Sequence, residues 1–219
     1  MVDFRKLNSP EWKQRMKERQ EQRKLEEQIR KQTACFTGHR PDKLGGYDMK
    51  NPTMLKLRDK LLEIIEILIN EEGVNHFISG GALGTDQCAF WCVHMIKKKY
   101  PEIKNIVAIP FLNQDKIWTA EQKHWYKKML SLADEVVNVE VAAGYKADKD
   151  TTFGEFSRIK MNKRNEYMVD RSNTLIAVYD GSFKGGTANC VRYARRNQMG
   201  MMYIEIMPQY DYIHEVRWF

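Results

Sequence analysis

From residue 33 onward, hydrophobic and polar positions follow a repeated strand–loop–helix order. Short β-branched or apolar runs predict buried strands at 33–37, 76–79, 105–110, 135–139, 174–179 and 201–206. Helical spacing and end signals predict helices at 9–31, 51–73, 85–99, 119–132, 157–170 and 186–200. This alternation predicts an α/β, Rossmann-like fold with a mostly parallel sheet and helices on both faces.

A charged N-terminal helical arm at residues 1–32 precedes the domain, which we assign to residues 33–219. Ser9 is a good N-cap for the arm, whose few apolar residues form a stripe too narrow to fold alone. The arm is therefore either a solvated helix or a contact with the body or a second chain. We expect a homo-oligomer and name Trp12 and Met16 as candidate contacts.

The composition is that of an ordinary globular protein, with 42% hydrophobic and 30% charged residues in a chain of 219. No apolar run approaches the roughly 20 residues that a membrane span needs. The charged N-terminus does not resemble a secretory signal, so we expect a cytoplasmic protein without a membrane partner. The spacing of the four cysteines fits buried thiols, and predicts neither a disulfide framework nor a metal site.

The formal net charge of +7 is unevenly distributed, because the arm alone holds ten basic and six acidic residues. The remaining domain therefore has only a modest basic excess. Such a balance is compatible with phosphate-bearing small molecules and with nucleic acid alike. The charge does not decide between them.

The most informative loop for chemistry follows the predicted strand at 76–79. Glycines let a backbone approach a ligand closely, and N–H groups at the following helix start favour phosphate or carboxylate oxygens. Asp86, in the first helical turn, could hydrogen-bond a ribose hydroxyl or cap the helix. The pattern matches neither a Walker A loop nor a GxGxxG fingerprint. The candidate ligand-binding residues of this loop are Ser79, Gly80, Gly81, Ala82, Gly84, Thr85 and Asp86.

A second glycine-rich turn follows the strand at 174–179, and a third polar loop follows the first strand. Two glycine turns in one sheet strengthen the prediction of a nucleotide site beyond what either does alone. In the third loop we expect Arg40 to contact the ligand rather than His39 to act as a general acid or base. The planar guanidinium of an arginine fits phosphate or carboxylate oxygens. Candidate contacts here are Asp180, Lys184, Gly185, Gly186 and Thr187 in the second turn, and Thr37, Gly38, His39 and Arg40 in the third loop, with Arg164 and Asn165 on a nearby helix.

Four segments, in order, resemble the SLOG superfamily, and most closely its YpsA-like branch. They are CFTGHRP at 35–41, SGGALGTD at 79–86, RNEYMVD at 164–170 and GGT at 185–187. The resemblance implies a Rossmann-like fold whose relatives, among them Lonely Guy hydrolases and DprA, bind nucleotides, nucleotide-derived signals or nucleic acid. Lonely Guy enzymes carry a glutamate three positions after their motif threonine. This chain has Cys190 at that position, so it lacks the carboxylate there, which argues against the phosphoribohydrolase reaction of Lonely Guy enzymes.

Three functions remain as hypotheses. The favoured one is a protein that binds a small nucleotide or an ADP-ribose-like derivative without a cofactor, as a sensor, regulator or signal-sequestering protein. The second is a nucleotide N-glycoside hydrolase or transferase that uses Asp86 or Glu166 as its carboxylate. The third is single-stranded nucleic-acid binding, with Trp118, Trp125 and Tyr126 as stacking platforms or, as we prefer, packing residues.

Overall fold

The computed structural model describes residues 9–147 and 151–219. Within these ranges the chain forms an α/β fold whose elements alternate along most of the sequence. The helices are α1 (Pro10–Lys31), α2 (Pro52–Glu72), α3 (Thr85–Ile96), α4 (Ala120–Leu132), α5 (Arg158–Asp170) and α6 (Gly186–Asn197). The strands are β1 (Thr33–Gly38), β2 (His76–Ser79), β3 (Lys104–Ile109), β4 (Glu135–Asn138), β5 (Thr174–Val178), β6 (Met202–Met207) and β7 (Ile213–Trp218).

The strands form one sheet in the order β4-β3-β2-β1-β5-β6-β7. All neighbours pair in parallel except β6 and β7, which are antiparallel. The chain first builds outward from β1 through β2 and β3 to β4, then returns to the other side of β1 to place β5. This change of direction puts a topological switch point at β1.

Helices cover both faces of the sheet, as predicted. Alternate strand residues such as Phe36 and Phe77 pack against α2 and α3 in one core cluster. The intervening residues, such as Cys35 and Leu175, pack against α5 and α6 on the opposite face. A smaller cluster joins β3 to α4 on the α3 side, around Tyr126. The fully buried strands thus read as continuous apolar runs because both faces are covered.

Local sequence explains where the helices begin and end. The Asn51 side chain accepts a hydrogen bond from the Met54 N–H at 2.9 Å, and Gly73 ends α2 in the left-handed region at φ 65°. At the start of α4, Thr119 and Gln122 form the predicted capping box. These helix boundaries are confirmed, while α3 and α6 end about three residues earlier than predicted.

The strand β7 was not predicted from the sequence. It follows a short 3₁₀ turn at Pro208–Tyr210 and returns along β6 to form an antiparallel edge. Glu215 and Arg217 interrupt its apolar positions, so no apolar run marks it. This segment of alternating apolar and polar residues forms a strand because β6 offers a free edge for pairing.

The arm helix α1 has no buried residue among those described. Its last turn contacts the domain through Arg30, whose Nη1 donates to the carbonyl of Ser172 at 3.3 Å. The division into an arm at 1–32 and a domain at 33–219 stays a prediction, and residues 1–8 lie outside the described part. No helix in that part is long and apolar enough to cross a membrane.

The fold predicts a sharp contrast between two aliphatic residues of α2. Leu61 is fully buried, whereas Ile67 is 39% exposed. We expect Leu61→Ala to lower the free energy of unfolding by about 2–5 kcal/mol, because it leaves a cavity in the core. We expect Ile67→Ala on the same helix to cost about 1 kcal/mol or less. Urea denaturation checks both, and equal losses would contradict this packing.

Candidate functional site

A cleft lies at the carboxyl end of β1, where the sheet order reverses. It encloses about 200 Å³ and is walled by the loops after β1, β2 and β5 together with the middle of α5. Ligands of open α/β sheets bind at such switch points. The loops that the sequence singled out therefore meet in one place, although they are separated by more than a hundred residues along the chain.

The structure places most of the predicted ligand-binding residues on the cleft wall. Those that line it are Thr37, Gly38, His39, Arg40, Ala82, Asp86, Arg164, Asn165, Lys184, Gly185, Gly186 and Thr187. The other six predicted residues do not line the cleft, namely Ser79, Gly80, Gly81, Gly84, Thr85 and Asp180. The candidate carboxylate Glu166 instead lines a separate groove between α5 and α6.

Sequence reasoning missed seven residues of the wall. Met161 and Asn162 lie on α5 one turn before Arg164 and Asn165, so helical spacing could have found them. The others lie in loops whose conformation carries no simple periodic signal. The missed residues are Asp42, Lys43, Leu83, Met161, Asn162, Tyr179 and Ser182.

The glycines of the turn after β2 make room for neighbouring protein groups. A Cβ on Gly80 would lie 1.2 Å from the Arg164 Nη1 atom. Gly84 has φ +96°, and a Cβ there would lie 2.6 Å from the His39 carbonyl oxygen. That carbonyl accepts hydrogen bonds from both the N–H and the hydroxyl of Thr85 at 3.1 Å. This turn is thus fastened to the loop after β1, and its first helical N–H is already used.

An ion pair buried at the floor of the cleft joins the two faces of the sheet. Arg164 Nη1 on α5 lies 3.1 Å from Asp86 Oδ2 on α3, and the two side chains are 4% and 9% exposed. The same carboxylate oxygen accepts a hydrogen bond from the Ala82 N–H. The Nε atom of Arg164 is buried and has no hydrogen-bond partner within the described ranges. The pair thus leaves one donor unused.

The turn after β5 differs, because its glycines face open space. Gly185 has φ +111° and forms the N-cap of α6, and a Cβ on Gly185 or Gly186 would meet no atom of the described residues within 4 Å. The first turn of α6 carries no acidic residue. A helix N-terminus attracts anions through its free N–H groups and its dipole. The start of α6 is therefore suited to hold a phosphate.

Basic side chains surround this opening. Lys43 donates to Asp180 at 2.6 Å, whereas Arg40 and Lys184 form no ion pair with any described residue. Although burial works against it, hydrogen bonds from Lys43 and Ser182 hold the pKa of Asp180 well below its usual range. Two cations of the cleft therefore remain available to an anionic ligand.

His39 is a buried polar residue on the wall of the same cleft. Its side chain is 8% exposed, and its Nε2 atom lacks a hydrogen-bond partner among the described residues. Asp180 Oδ2 lies 3.5 Å from that atom, beyond a good hydrogen bond. Burial lowers the pKa of His39 despite the nearby carboxylate. The neutral imidazole is thus the form that the folded protein favours.

The aromatic residues considered for base stacking are largely engaged in packing. Trp118 meets Tyr126 edge to face with ring centroids 5.1 Å apart. Tyr126 is buried, and its hydroxyl donates a hydrogen bond to the side-chain oxygen of Gln114. Trp125 is 44% exposed and meets Trp91 edge to face. All three belong to α4 or the loop before it, and none of them is among the residues that line the cleft.

The remaining sequence-based candidates concern thiols and metals. All four cysteines are buried, as expected, and burial raises the pKa of Cys190 to about 12. Cys190 therefore packs as a small apolar residue at the position where Lonely Guy enzymes carry glutamate. Within residues 9–147 and 151–219 no group of three His, Cys, Asp or Glu side chains is placed to hold a metal ion.

The sheet order and the switch-point cleft define a Rossmann-like α/β protein. The YpsA family, described as the YspA SLOG family, matches residues 34–210. This chain belongs to that family. The match begins at β1, so the arm helix lies outside it.

Two curated relatives show how the similarity extends. The "Uncharacterized SPbeta prophage-derived protein YoqJ" of Bacillus subtilis (strain 168) is 55% identical over 171 residues, covering 78% of this chain and 99% of that protein. A UPF0398 protein of Bacillus thuringiensis (strain Al Hakam) is 26% identical over 188 residues, covering 84% and 96% respectively. The chain thus spans nearly the full length of both relatives.

Among solved structures, two DNA processing proteins A (DprA) are similar to parts of this chain. The Streptococcus pneumoniae protein has a TM-score of 0.49 and 14% identity, covering 75% of this chain and 47% of its own. The Helicobacter pylori protein, solved for its single-stranded DNA binding mode, has a TM-score of 0.48 and 16% identity, covering 80% and 65%. This chain spans less than two thirds of either DprA chain.

Two glycines on opposite sides of the cleft should respond differently to a methyl group. We expect Gly80→Ala to lower the free energy of unfolding by about 3 kcal/mol, because its Cβ would displace Arg164 from the buried Asp86. Gly186→Ala meets no atom within 4 Å and should stabilise α6 slightly, by about 1 kcal/mol at most. Urea denaturation measures both. A Gly80→Ala protein of wild-type stability would contradict the tight packing around Arg164.

The buried histidine predicts a loss of stability in acid. Because the pKa of His39 is lowered in the folded chain, this imidazole binds a proton near pH 6.5 in the unfolded chain and only at lower pH in the folded chain. The free energy of unfolding should therefore fall as the pH drops below about 6.5, by up to about 1.4 kcal/mol per pH unit from this group. We expect His39→Gln to reduce that slope and the exposed His124→Gln to leave it unchanged. Identical slopes in the two variants would refute this assignment.

Proposed function

We propose that this protein binds a small nucleotide or a nucleotide-derived ligand of the ADP-ribose type in the switch-point cleft, as a sensor, regulator or signal-sequestering protein. One observation carries the proposal: the open N-terminus of α6 and the cations Arg40 and Lys184 line the same cleft as His39 and Arg164. Within the described part of the chain, Arg40 and Lys184 form no ion pair, and the buried His39 Nε2 and Arg164 Nε atoms have no hydrogen-bond partner. Unsatisfied buried donors are costly unless a ligand or water meets them.

The phosphate end of the ligand is assigned to the start of α6. The N–H groups of Gly186 and Thr187 lie in the first turn of the helix, where backbone donors have no intrahelical partner, and a Cβ on Gly186 would meet no described atom within 4 Å. Lys184 adds a mobile positive charge beside them, and Arg40 adds a planar fork from the loop after β1. Backbone donors combined with two cations recognise a phosphate or diphosphate more strongly than a carboxylate, which has fewer oxygens and less charge.

The sugar and base are assigned to the wall formed by α3 and α5. Asp86 lines this wall, and a carboxylate near a phosphate site commonly accepts hydrogen bonds from ribose hydroxyls. Leu83, Met161 and Tyr179 supply apolar surface in the same cleft. Asn162 and Asn165 offer amide groups that can both donate to and accept from a base edge. The cleft therefore combines the charged and apolar surfaces that a nucleotide presents.

Binding without turnover fits the two candidate carboxylates better than hydrolysis does. Asp86 is held in an ion pair with Arg164, so it is poorly placed to donate a proton. Glu166 pairs with Lys163 at 2.8 Å and lies in the groove between α5 and α6. Cys190 stands where the Lonely Guy glutamate would be. None of these residues offers an unengaged carboxylate inside the cleft.

Single-stranded nucleic acid is the alternative ligand class that the sequence raised. Its stacking platform would need exposed aromatic faces beside a basic groove. Trp118 and Tyr126 are instead packed against each other, and Tyr126 belongs to a core cluster. Trp125 is 44% exposed, but it does not line the cleft. We therefore propose a small nucleotide rather than a nucleic-acid strand.

A negative charge at the start of α6 should separate binding from folding. We expect Gly186→Asp to keep or raise the melting temperature, because an acidic residue favours a helix N-terminus. The same charge occupies the phosphate position, so affinity for ADP-ribose should fall at least about tenfold. The matched control is Asn197→Asp, which adds the same charge at the other end of α6 and should leave affinity unchanged.

Two measurements decide the outcome. Native mass spectrometry of protein purified from cells, followed by denaturation, identifies any nucleotide that copurifies with the wild type and is absent from Gly186→Asp. Calorimetric titration with ADP-ribose, ADP and AMP then measures affinity directly. An empty wild-type protein that binds none of the three, or equal affinity in Gly186→Asp and wild type, would refute the phosphate site.

A further inference from the structure

Strand β7 pairs on one side only and carries three exposed apolar side chains. β7 is the last strand of the sheet, and it has no strand partner on its outer edge within the described part of the chain. Three of its six residues are large and exposed: Ile213 at 59%, Val216 at 53% and Trp218 at 62%. No proline interrupts Ile213–Trp218. Such an edge is a template for pairing with another strand.

The backbone direction along this edge follows from its pairing with β6. The N–H of Phe219 donates to the carbonyl of Met201, and its carbonyl accepts from Gly200. The register with β6 continues without a bulge from Met202↔Trp218 to Met207↔Ile213. Because backbone groups alternate along a strand, the odd-numbered residues of β7 point to β6. The even-numbered residues therefore point their N–H and carbonyl groups outward.

This alternation permits β7 to pair with a second copy of itself around Val216. In an antiparallel pair centred there, Val216 meets Val216 of the partner subunit, and His214 meets Trp218 of the partner subunit. All three residues have outward backbone groups, so each such pair exchanges two hydrogen bonds. The arrangement would form about six main-chain hydrogen bonds and leave those to β6 intact.

The charges on the other side chains are complementary in the same register. Glu215 then lies directly opposite Arg217 of the partner subunit, and symmetry repeats the pair. Within one chain, Glu215 lies opposite Glu205 in the register with β6, and Arg217 contacts both carboxylates. Like charges opposite each other destabilise a strand pair, whereas opposite charges stabilise it. A second arginine from the partner subunit would balance this acidic pair.

We propose that β7 is a homodimer interface, in which two copies pair antiparallel about a two-fold axis through Val216 and join their sheets into one. A second copy is the occupant because the strand is self-complementary at three levels: its outward backbone groups, its Glu215–Arg217 charge order and its apolar Val216 and Trp218. The ligand cleft of each subunit lies at the carboxyl ends of β1 and β5, away from this edge. The interface is therefore independent of the proposed function.

A charge exchange tests both the interface and its register. Glu215→Arg makes the facing pair two arginines, and Arg217→Glu makes it two glutamates. We expect each variant alone to dissociate at least about ten times more readily than the wild type, because two attractive pairs become repulsive. An equimolar mixture of the two variants should dimerise again, since every arginine then faces a glutamate. Sedimentation velocity at protein concentrations up to about 100 μM measures all four samples.

Two further variants separate this interface from alternatives. Val216→Pro removes one outward N–H while the odd-numbered residues keep their bonds to β6, and should also yield monomers. Trp12→Glu changes the arm helix and should leave the dimer intact. A monomeric wild type, a dimer that survives Glu215→Arg and Arg217→Glu, or a mixture that fails to reassociate would each overturn the proposal. Unchanged urea denaturation midpoints confirm that the variants remain folded.

Discussion

The cleft depends on the buried ion pair between Arg164 and Asp86. Two charges removed from water are stable only when each satisfies the other, so this contact fixes the distance between α5 and α3. These helices cover opposite faces of the sheet, and the pair joins them across its carboxyl end. This geometry requires glycine at position 80, because any side chain there would occupy the space of the Arg164 guanidinium. The loops after β1 and β2 are then held together through His39 and Thr85.

Two turns of similar composition perform opposite tasks in this site. The glycines after β2 accommodate neighbouring protein atoms, and the N–H of Thr85 at the start of α3 is bonded to the chain itself. No atom of the described residues fills the space beside the glycines after β5, and the start of α6 faces the cleft. A glycine-rich turn is therefore not by itself a phosphate site. The deciding property is whether the space that the missing side chain leaves is filled by the protein or open to a ligand.

The sheet separates two kinds of surface. Its centre, at the switch point beside β1, gathers buried polar groups and basic side chains from distant loops. Its β7 edge carries exposed apolar residues and alternating charges on a strand that pairs on one side. The intervening strands β5 and β6 are buried along their length and paired with each other, so they keep the two surfaces apart. A polar cleft and an apolar edge can thus coexist without interfering.

The sequence by itself determined the elements whose signals are local. Apolar runs, the caps at Asn51 and Thr119 and the terminating Gly73 predicted the parallel strands and their helices, and the family motifs predicted which loops meet. Only the tertiary structure decided which glycines face protein and which face open space, because that depends on residues such as Arg164 far along the chain. It also decided that Glu166 lies in a side groove. Strand β7 exists because β6 leaves an edge unpaired, a long-range condition that a charged, alternating segment does not reveal.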